Sequence, residues 1–143
     1  MFARISPRLD RFIEAQLPVF DQVCSELAAG RKQSHWMWFV FPQIKGLGAS
    51  PTARHFAIDS TAEALDYWLH PVLGPRLKQC AQLVLNTSGK SAHDIFGSPD
   101  DLKLHSCMTL FAAVASDEPV FEQVLNQFYD GQPDARTLEL LRE

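Results

Sequence analysis

The sequence predicts an all-α fold, a compact multihelical single domain of about seven or eight short helices spanning residues 1–143, on three observations. Apolar residues recur at three-and-four spacing in segment after segment, which marks a helix with one buried stripe. A helix-start pattern, a small polar cap followed by proline or an acid, repeats along the chain. No alternating strand ladder and no hairpin dipeptide separates these segments.

The first stripe runs Leu9, Phe12, Ile13, Leu17, Phe20, Val23, Cys24, Leu27, with Gly30 as a C-terminal stop. Pro18 interrupts it without shifting it. Proline lacks an amide donor and clashes with the preceding turn, so the expectation is a kink or two helices meeting near Leu17. Trp36 to Phe41 is six apolar residues in a row, a run too short for periodicity to separate buried strand from buried helix, with Ser34 as a candidate N-cap. Ser50 before Pro51, Ser60 three residues before Glu63, Ser98 before Pro99 and Asp117 ahead of Val120, Phe121, Val124, Leu125 and Phe128 are four further helix starts. Leu73, Leu77, Cys80, Ala81 and Val84 form another stripe, as do Leu104, Cys107, Met108, Phe111 and Ala115. Asp134 opens a short final helix through Leu138 and Leu141.

With 143 residues, 46% of them hydrophobic, the chain is long enough to bury one core holding roughly two-thirds of its unfolded surface. Thirteen Lys and Arg against seventeen Asp and Glu give a formal charge of −4. Apart from Arg31-Lys32 and the trio Arg4, Arg8 and Arg11, the basic residues are scattered. That distribution argues against duplex nucleic acid, whose binding needs a phosphate-neutralising stripe. Cys24, Cys80 and Cys107 are odd in number and lie at apolar-periodic positions, so they read as buried free thiols of a reducing compartment. The N-terminus MFARISPRLDRF has no apolar segment of signal-peptide length, and no window approaches the ~20 apolar residues of a membrane span. A cytoplasmic protein with no membrane association is expected.

Chemistry concentrates in two segments. The first, SHWMWFVFPQIKGLGAS from Ser34 to Ser50, crowds aromatic side chains between His35 and Gln43, with Lys32 just upstream. His35 could act as a general base or bind a ligand. Trp36 and Trp38, two apart, point to different sides of a helix, so at most one faces a ligand while the other is core. The core indole N–H needs a partner, which Gln43 or a backbone carbonyl could supply. Gly46 and Gly48 before Ser50-Pro51 read as a turn and cap, since they lack the strand of a dinucleotide fingerprint and the ending of a P-loop. In the second segment, IFGSPDDLKLHSCMTLF, Asp100 and Lys103 are neighbours at i, i+3, and Ser106 and Thr109 place hydroxyls in an apolar stretch. The five histidines show no metal spacing, no Cys-x-x-Cys occurs, and no nucleophile elbow or cysteine–histidine neighbour is present. No metal and no cofactor is expected.

Together, GRKQSHWMWFVFPQIKGLGAS, HPVLGPRLKQCAQLVL, IFGSPDDLKLHSCMTLF and FYDGQPDARTLELL resemble, nearly end to end, the family catalogued as domain of unknown function 1810. The resemblance implies a compact multihelical protein of a mostly bacterial family without a settled activity, and a helical Trp36–Phe41 segment. The residues matching the family's recurring pattern are Lys32, His35, Trp36, Trp38, Gln43, Gly46, Gly48, Ser50, His70, Arg76, Phe96, Gly97, Asp100, Lys103, Ser106, Met108 and Thr109, with Cys107 where serine is common. Some members carry the label calpastatin, but that inhibitor is an extended disordered chain, and a sequence 46% hydrophobic is not.

Two functions compete. In one, the His35–Gln43 segment and the Asp100–Thr109 helix form a pocket for an anionic, partly planar molecule such as a nucleotide or an ADP-ribose-like metabolite. Trp36 or Trp38 would stack its ring, Lys32, Arg76 and Lys103 would neutralise phosphate, and Gln43, Ser106 and Thr109 would hydrogen-bond. If hydrolysis occurs, His35 or Asp100 is the acid or base. In the other, the aromatic 34–43 segment is a docking surface of a non-catalytic interaction module with an unknown protein partner. A purely structural helical domain is a third reading. An exposed Trp36, Trp38 and Phe41 would favour docking, and their burial beneath a cleft would favour the pocket.

Overall fold

The computed structural model describes residues 7–142, so Arg4 of the basic trio and residues 1–6 of the N-terminal segment lie outside the described part. A 3-10 turn, Pro7–Leu9, leads into α1, Asp10–Gln16, and α2, Phe20–Ala28. The break expected at Pro18 is therefore complete, and two helices meet there. Next come α3 (Met37–Val40), α4 (Pro51–His55), α5 (Thr61–Leu69), α6 (Leu73–Leu85) and α7 (Ala92–Phe96), then α8 (Asp100–Val114), α9 (Val120–Tyr129) and α10 (Ala135–Leu141). The described residues thus hold ten α-helices, seven of them seven residues or longer. The helix with no counterpart in the expectations is α7, five residues long and too short to show a periodic stripe. The described residues contain no strand, only one parallel bridge between Ile44 and Ile58.

Several helix ends follow the local code. Gly30, at φ +69°, closes α2 with Gly30 N–H donating to Leu27 O and Arg31 N–H to Glu26 O, both at 3.0 Å, which is a Schellman stop. Ser50, Ser60 and Asp134 accept from the amides of Ala53, Glu63 and Thr137 as the cap pattern predicts. Three expected caps are corrected. Ser34 does not cap α3, because its hydroxyl donates to the buried Glu26 carboxylate at 2.6 Å. Ser98 lies one residue outside α8, whose N-cap position is Pro99. At α9 it is Glu118, not Asp117, whose carboxylate accepts from Val120 N–H at 3.1 Å. Two caps have no counterpart in the expectations: the reciprocal Ser91–Asp94 box of α7, and the His70 ring, whose Nδ1 accepts from the amides of Val72 and Leu73 at the start of α6.

α8 is the central helix. It packs against α9, α5, α7 and α10, while α6 packs against α9, α5 and α2. The predicted stripe of Leu104, Cys107, Met108, Phe111 and Ala115 is buried, but so are Ser106, Thr109 and Leu110 on the remaining faces. A helix covered on more than one face loses its one-sided pattern. The core joins Leu9 and Phe12 of the first segment to Trp36, Phe41, Tyr67, Phe111 and Phe121. All three cysteines are free. Cys80 and Cys107 are buried as expected, whereas Cys24 is only half-buried. No described helix is long and apolar enough to cross a membrane.

Candidate functional site

The aromatic segment is shaped by one carboxylate. Glu26, in the last turn of α2, is 4% exposed and accepts from five donors: Gln22 Nε2 (2.8 Å), Gln33 N (2.7 Å), Ser34 N (3.0 Å), Ser34 Oγ (2.6 Å) and Trp36 Nε1 (2.9 Å). Burial pushes this carboxyl upward, but the Ser34 hydroxyl, the Gln33 and Ser34 amides and the Gln22 carboxamide outweigh it and hold it at about 2. The expected partner of the core indole is thereby corrected. Trp36 is 1% exposed and its N–H meets Glu26 rather than Gln43 or a backbone carbonyl.

With Trp36 fixed inward, Trp38 turns outward, half-buried, and becomes one wall of a cleft of about 500 Å³. The adjoining wall is the loop from Gln43 to Ser50. Gln43 is held by its backbone, its carbonyl accepting from Ile58 N–H at 2.8 Å, and its carboxamide lines the cleft. Gly48 lets this loop close on α4, since a Cβ there would lie 2.5 Å from that of Ala53. The opposite wall is the first half of α8, with Leu102, Lys103 and Ser106, and the start of α10 contributes Asp134 and Arg136.

Asp100, which does not itself line the cleft, pairs with two lysines. Its Oδ2 lies 2.8 Å from Lys32 Nζ and its Oδ1 3.4 Å from Lys103 Nζ. Lys32, 7% exposed at its side chain, sits behind Asp100 and does not line the cleft; it also donates to Ser34 O at 2.7 Å. Lys103 does line it, with its ammonium 4.5 Å from the centre of a Trp38 ring. Such cation–π contacts contribute about 0.5–1 kcal/mol at exposed sites. Arg136 pairs with Glu139 at 3.0 Å, but both are more than half exposed, so water screens the pair.

The hydroxyls of Ser106 and Thr109 are engaged within the fold. Ser106 Oγ donates to Leu102 O at 3.1 Å and approaches Asp134 Oδ2 at 3.3 Å. Thr109 Oγ1 donates to His105 O and accepts from Asp134 N–H, both at 2.8 Å. Together with Thr137, whose amide and hydroxyl donate to the same Asp134 oxygen, they clamp the start of α10 onto α8. Thr109 faces a second cavity of about 400 Å³ between α8, α9 and α10 rather than the Trp38 cleft.

The structure thus brings together Trp38, Gln43, Lys103 and Ser106, with Lys32 and Asp100 directly behind. It does not bring in the others. His35 is exposed and outside the lining. Arg76 lies elsewhere, its guanidinium 4.9 Å from the Phe20 ring centre and 3.3 Å from Gln16 Oε1. His105, Asp134 and Arg136 line the cleft without having been singled out as site residues. Asp134 signalled only a helix cap. His105 and Arg136 carried no local signal, since their place depends on how α10 crosses α8. His105 stacks flat on Tyr129 with ring centres 4.1 Å apart, and its Nε2 meets Gln132 O at 2.7 Å, an arrangement in which Nε2 carries the proton. No group of three or more metal-ligating side chains occurs among the described residues.

The model of the family described as "Protein of unknown function (DUF1810)" matches residues 6–141. The chain is also similar to the crystal structure of the conserved hypothetical protein Rv1873 from Mycobacterium tuberculosis, at 51% identity and a TM-score of 0.93, over 94% of this chain and 96% of that one. No curated protein matches it.

Proposed function

The chain belongs to the DUF1810 family, and from its cleft we propose that it binds a small, anionic, ring-bearing metabolite without turning it over. The observation that carries this reading is the Lys103 ammonium held 4.5 Å from the Trp38 ring on a cleft wall, with the Gln43 carboxamide and the exposed Arg136 guanidinium on the other walls. An aromatic face, a hydrogen-bonding amide and two cations around one concavity suit a planar ring attached to an anionic group. The cleft's volume, about 500 Å³, lies within the usual range for small-molecule sites.

Binding is favoured over hydrolysis because no free acid–base pair faces the cleft. Asp100 is shared by two lysines, Asp134 is occupied as the α10 cap, His105 is committed to Gln132, and His35 lies outside. The docking alternative has less support, since Trp36 and Phe41 are each 1% exposed and the 34–43 segment presents no continuous apolar patch.

Calorimetric titration with nucleoside phosphates, NAD-derived metabolites and simple anions tests the reading. A saturable isotherm is expected for a ring-bearing anion, weakened in Lys103→Ala and in Arg136→Ala with both variants folded by circular dichroism, and retained in His35→Ala. A flat response across the whole panel overturns it.

A further inference from the structure

The cleft contains a feature that a simple anion site would not need: its cation covers its aromatic face. The Lys103 ammonium, 4.5 Å from the Trp38 ring centre, stands where a ligand ring would stack. Its second contact, Asp100 Oδ1 at 3.4 Å, is the longer of the two that Asp100 makes. The shorter, at 2.8 Å, goes to Lys32, whose side chain is 7% exposed, outside the cleft lining, and also bonded to Ser34 O. If Lys103 leaves, Asp100 therefore keeps its charge partner, so departure does not strand a buried carboxylate. Lys103 itself is 19% exposed on a flexible stem, and among the described residues its ammonium contacts only Asp100 and the Trp38 ring.

We infer that Lys103 is a ligand-displaced gate. It rests on the binding reading above and specifies how that site works and what it selects. The ligand ring takes the Trp38 face, and the displaced ammonium follows to the ligand's anionic group, exchanging a cation–π contact for a stacked ring and a charge-assisted hydrogen bond. Ring and anion must then be joined in one molecule. A ring alone displaces the lysine without giving its ammonium a new anionic partner, and an anion alone leaves Trp38 without a stacking partner.

The same geometry limits the charge. Among the described residues, Lys103 and Arg136 are the only lysine or arginine lining the cleft, enough for one phosphate, and the Asp134 carboxylate lines it too. Further phosphates would meet the Asp134 carboxylate rather than a third cation. The ligand class is accordingly a nucleoside monophosphate or a similar single-anion aromatic, not a polyphosphate and not an ADP-ribose-like diphosphate.

The test is tryptophan quenching in the whole protein with four probes: adenosine, inorganic phosphate, AMP and ATP. Trp38→Phe assigns the signal, since Trp36 is buried and Trp68 packs on Phe121. In the wild type AMP should quench saturably, about tenfold more tightly than adenosine, with ATP no tighter than AMP and phosphate silent. In Lys103→Met the order should invert, with adenosine binding more tightly than to wild type and AMP more weakly. Lys103→Gln should give the same inversion and serves if the methionine variant does not fold. Adenosine affinity unchanged or weakened in both variants overturns the gate while leaving the binding reading intact. ATP preferred about tenfold over AMP overturns the single-anion limit. No quenching and no calorimetric heat with any probe overturns the gate and the binding reading together.

Discussion

Replacing Glu26 by glutamine is expected to destabilise the protein by about 3 kcal/mol near neutral pH. The carboxylate is 4% exposed and collects five donors from α2 and the Gln33–Trp36 segment. Although burial acts to raise it, those hydrogen bonds hold the carboxyl at about 2 against an ordinary value of 4.5. Each unit of such a difference corresponds to about 1.4 kcal/mol between the protonation states, which sets the magnitude. Glutamine preserves the shape but brings its own N–H group where donors converge and leaves at least one of them unsatisfied. For a chain of this size the loss corresponds to roughly 10 °C in Tm. Because the folded-state value is depressed, the contribution is complete above about pH 5 and is lost as the pH falls toward about 2. Urea unfolding of wild type and Glu26→Gln at about pH 7 and about pH 3 should therefore show the gap between them shrinking to about half. A gap that is the same at both pH values, or a variant within about 0.5 kcal/mol of wild type near neutrality, refutes this account of the carboxylate.

Gly74→Ala should cost at least about 3 kcal/mol in the same unfolding assay, because a Cβ there would lie 2.0 Å from the Trp68 carbonyl oxygen and would push α6 off α5. Gly89→Ala, where nothing lies within 4 Å, creates no such clash and should cost less, its φ of +76° adding only backbone strain. Asp134→Ala should destabilise by about 1–2 kcal/mol and make the chain after Tyr129 the first site of limited proteolysis, since the cap on Thr137 and the carboxylate's tie to Ser106 go together. Thiol titration near neutral pH should find Cys24 slowly reactive and Cys80 and Cys107 silent until denaturant is added. Burial pushes all three thiols upward, but only Cys24 is partly exposed. Rapid labelling of all three in the native protein contradicts the packing of α2, α6 and α8.

The helices that the sequence made legible are those whose reasons are local. The Leu73–Val84 stripe, the stop at Gly30, the break at Pro18 and the caps at Ser50, Ser60 and Asp134 each depend on residues within about one turn of one another. The misplaced caps failed for a specific physical reason. Ser34 has the right chemistry to cap α3, but a carboxylate eight positions earlier in the chain takes its hydroxyl, and that proximity exists only after α2 and the following segment have folded together. At α8 the apolar stripe was legible, but the burial of Ser106 and Thr109 was not, because α10 covers a face that an amphipathic helix would leave to water.

The candidate site divides in the same way. Alternation along Trp36–Trp38 could say that one indole faces in and the other out, since side chains two apart on a helix diverge. Which is which was decided by Glu26, whose carboxylate pulls Trp36 inward and leaves Trp38 on the cleft wall. Asp100 and Lys103 were readable as neighbours because they are three apart on one helix. Lys32, which supplies the shorter contact to Asp100, was not, because 68 positions separate them. His35 and Arg76 had suitable chemistry but were placed away from the cleft, while Arg136 entered it only because α10 crosses α8. The sequence by itself determined the helical class, the boundaries set by glycine and proline, and the inventory of aromatic and charged groups, all through interactions within a few residues. Only the tertiary structure decided which of those groups share a cleft, because that depends on contacts between distant segments.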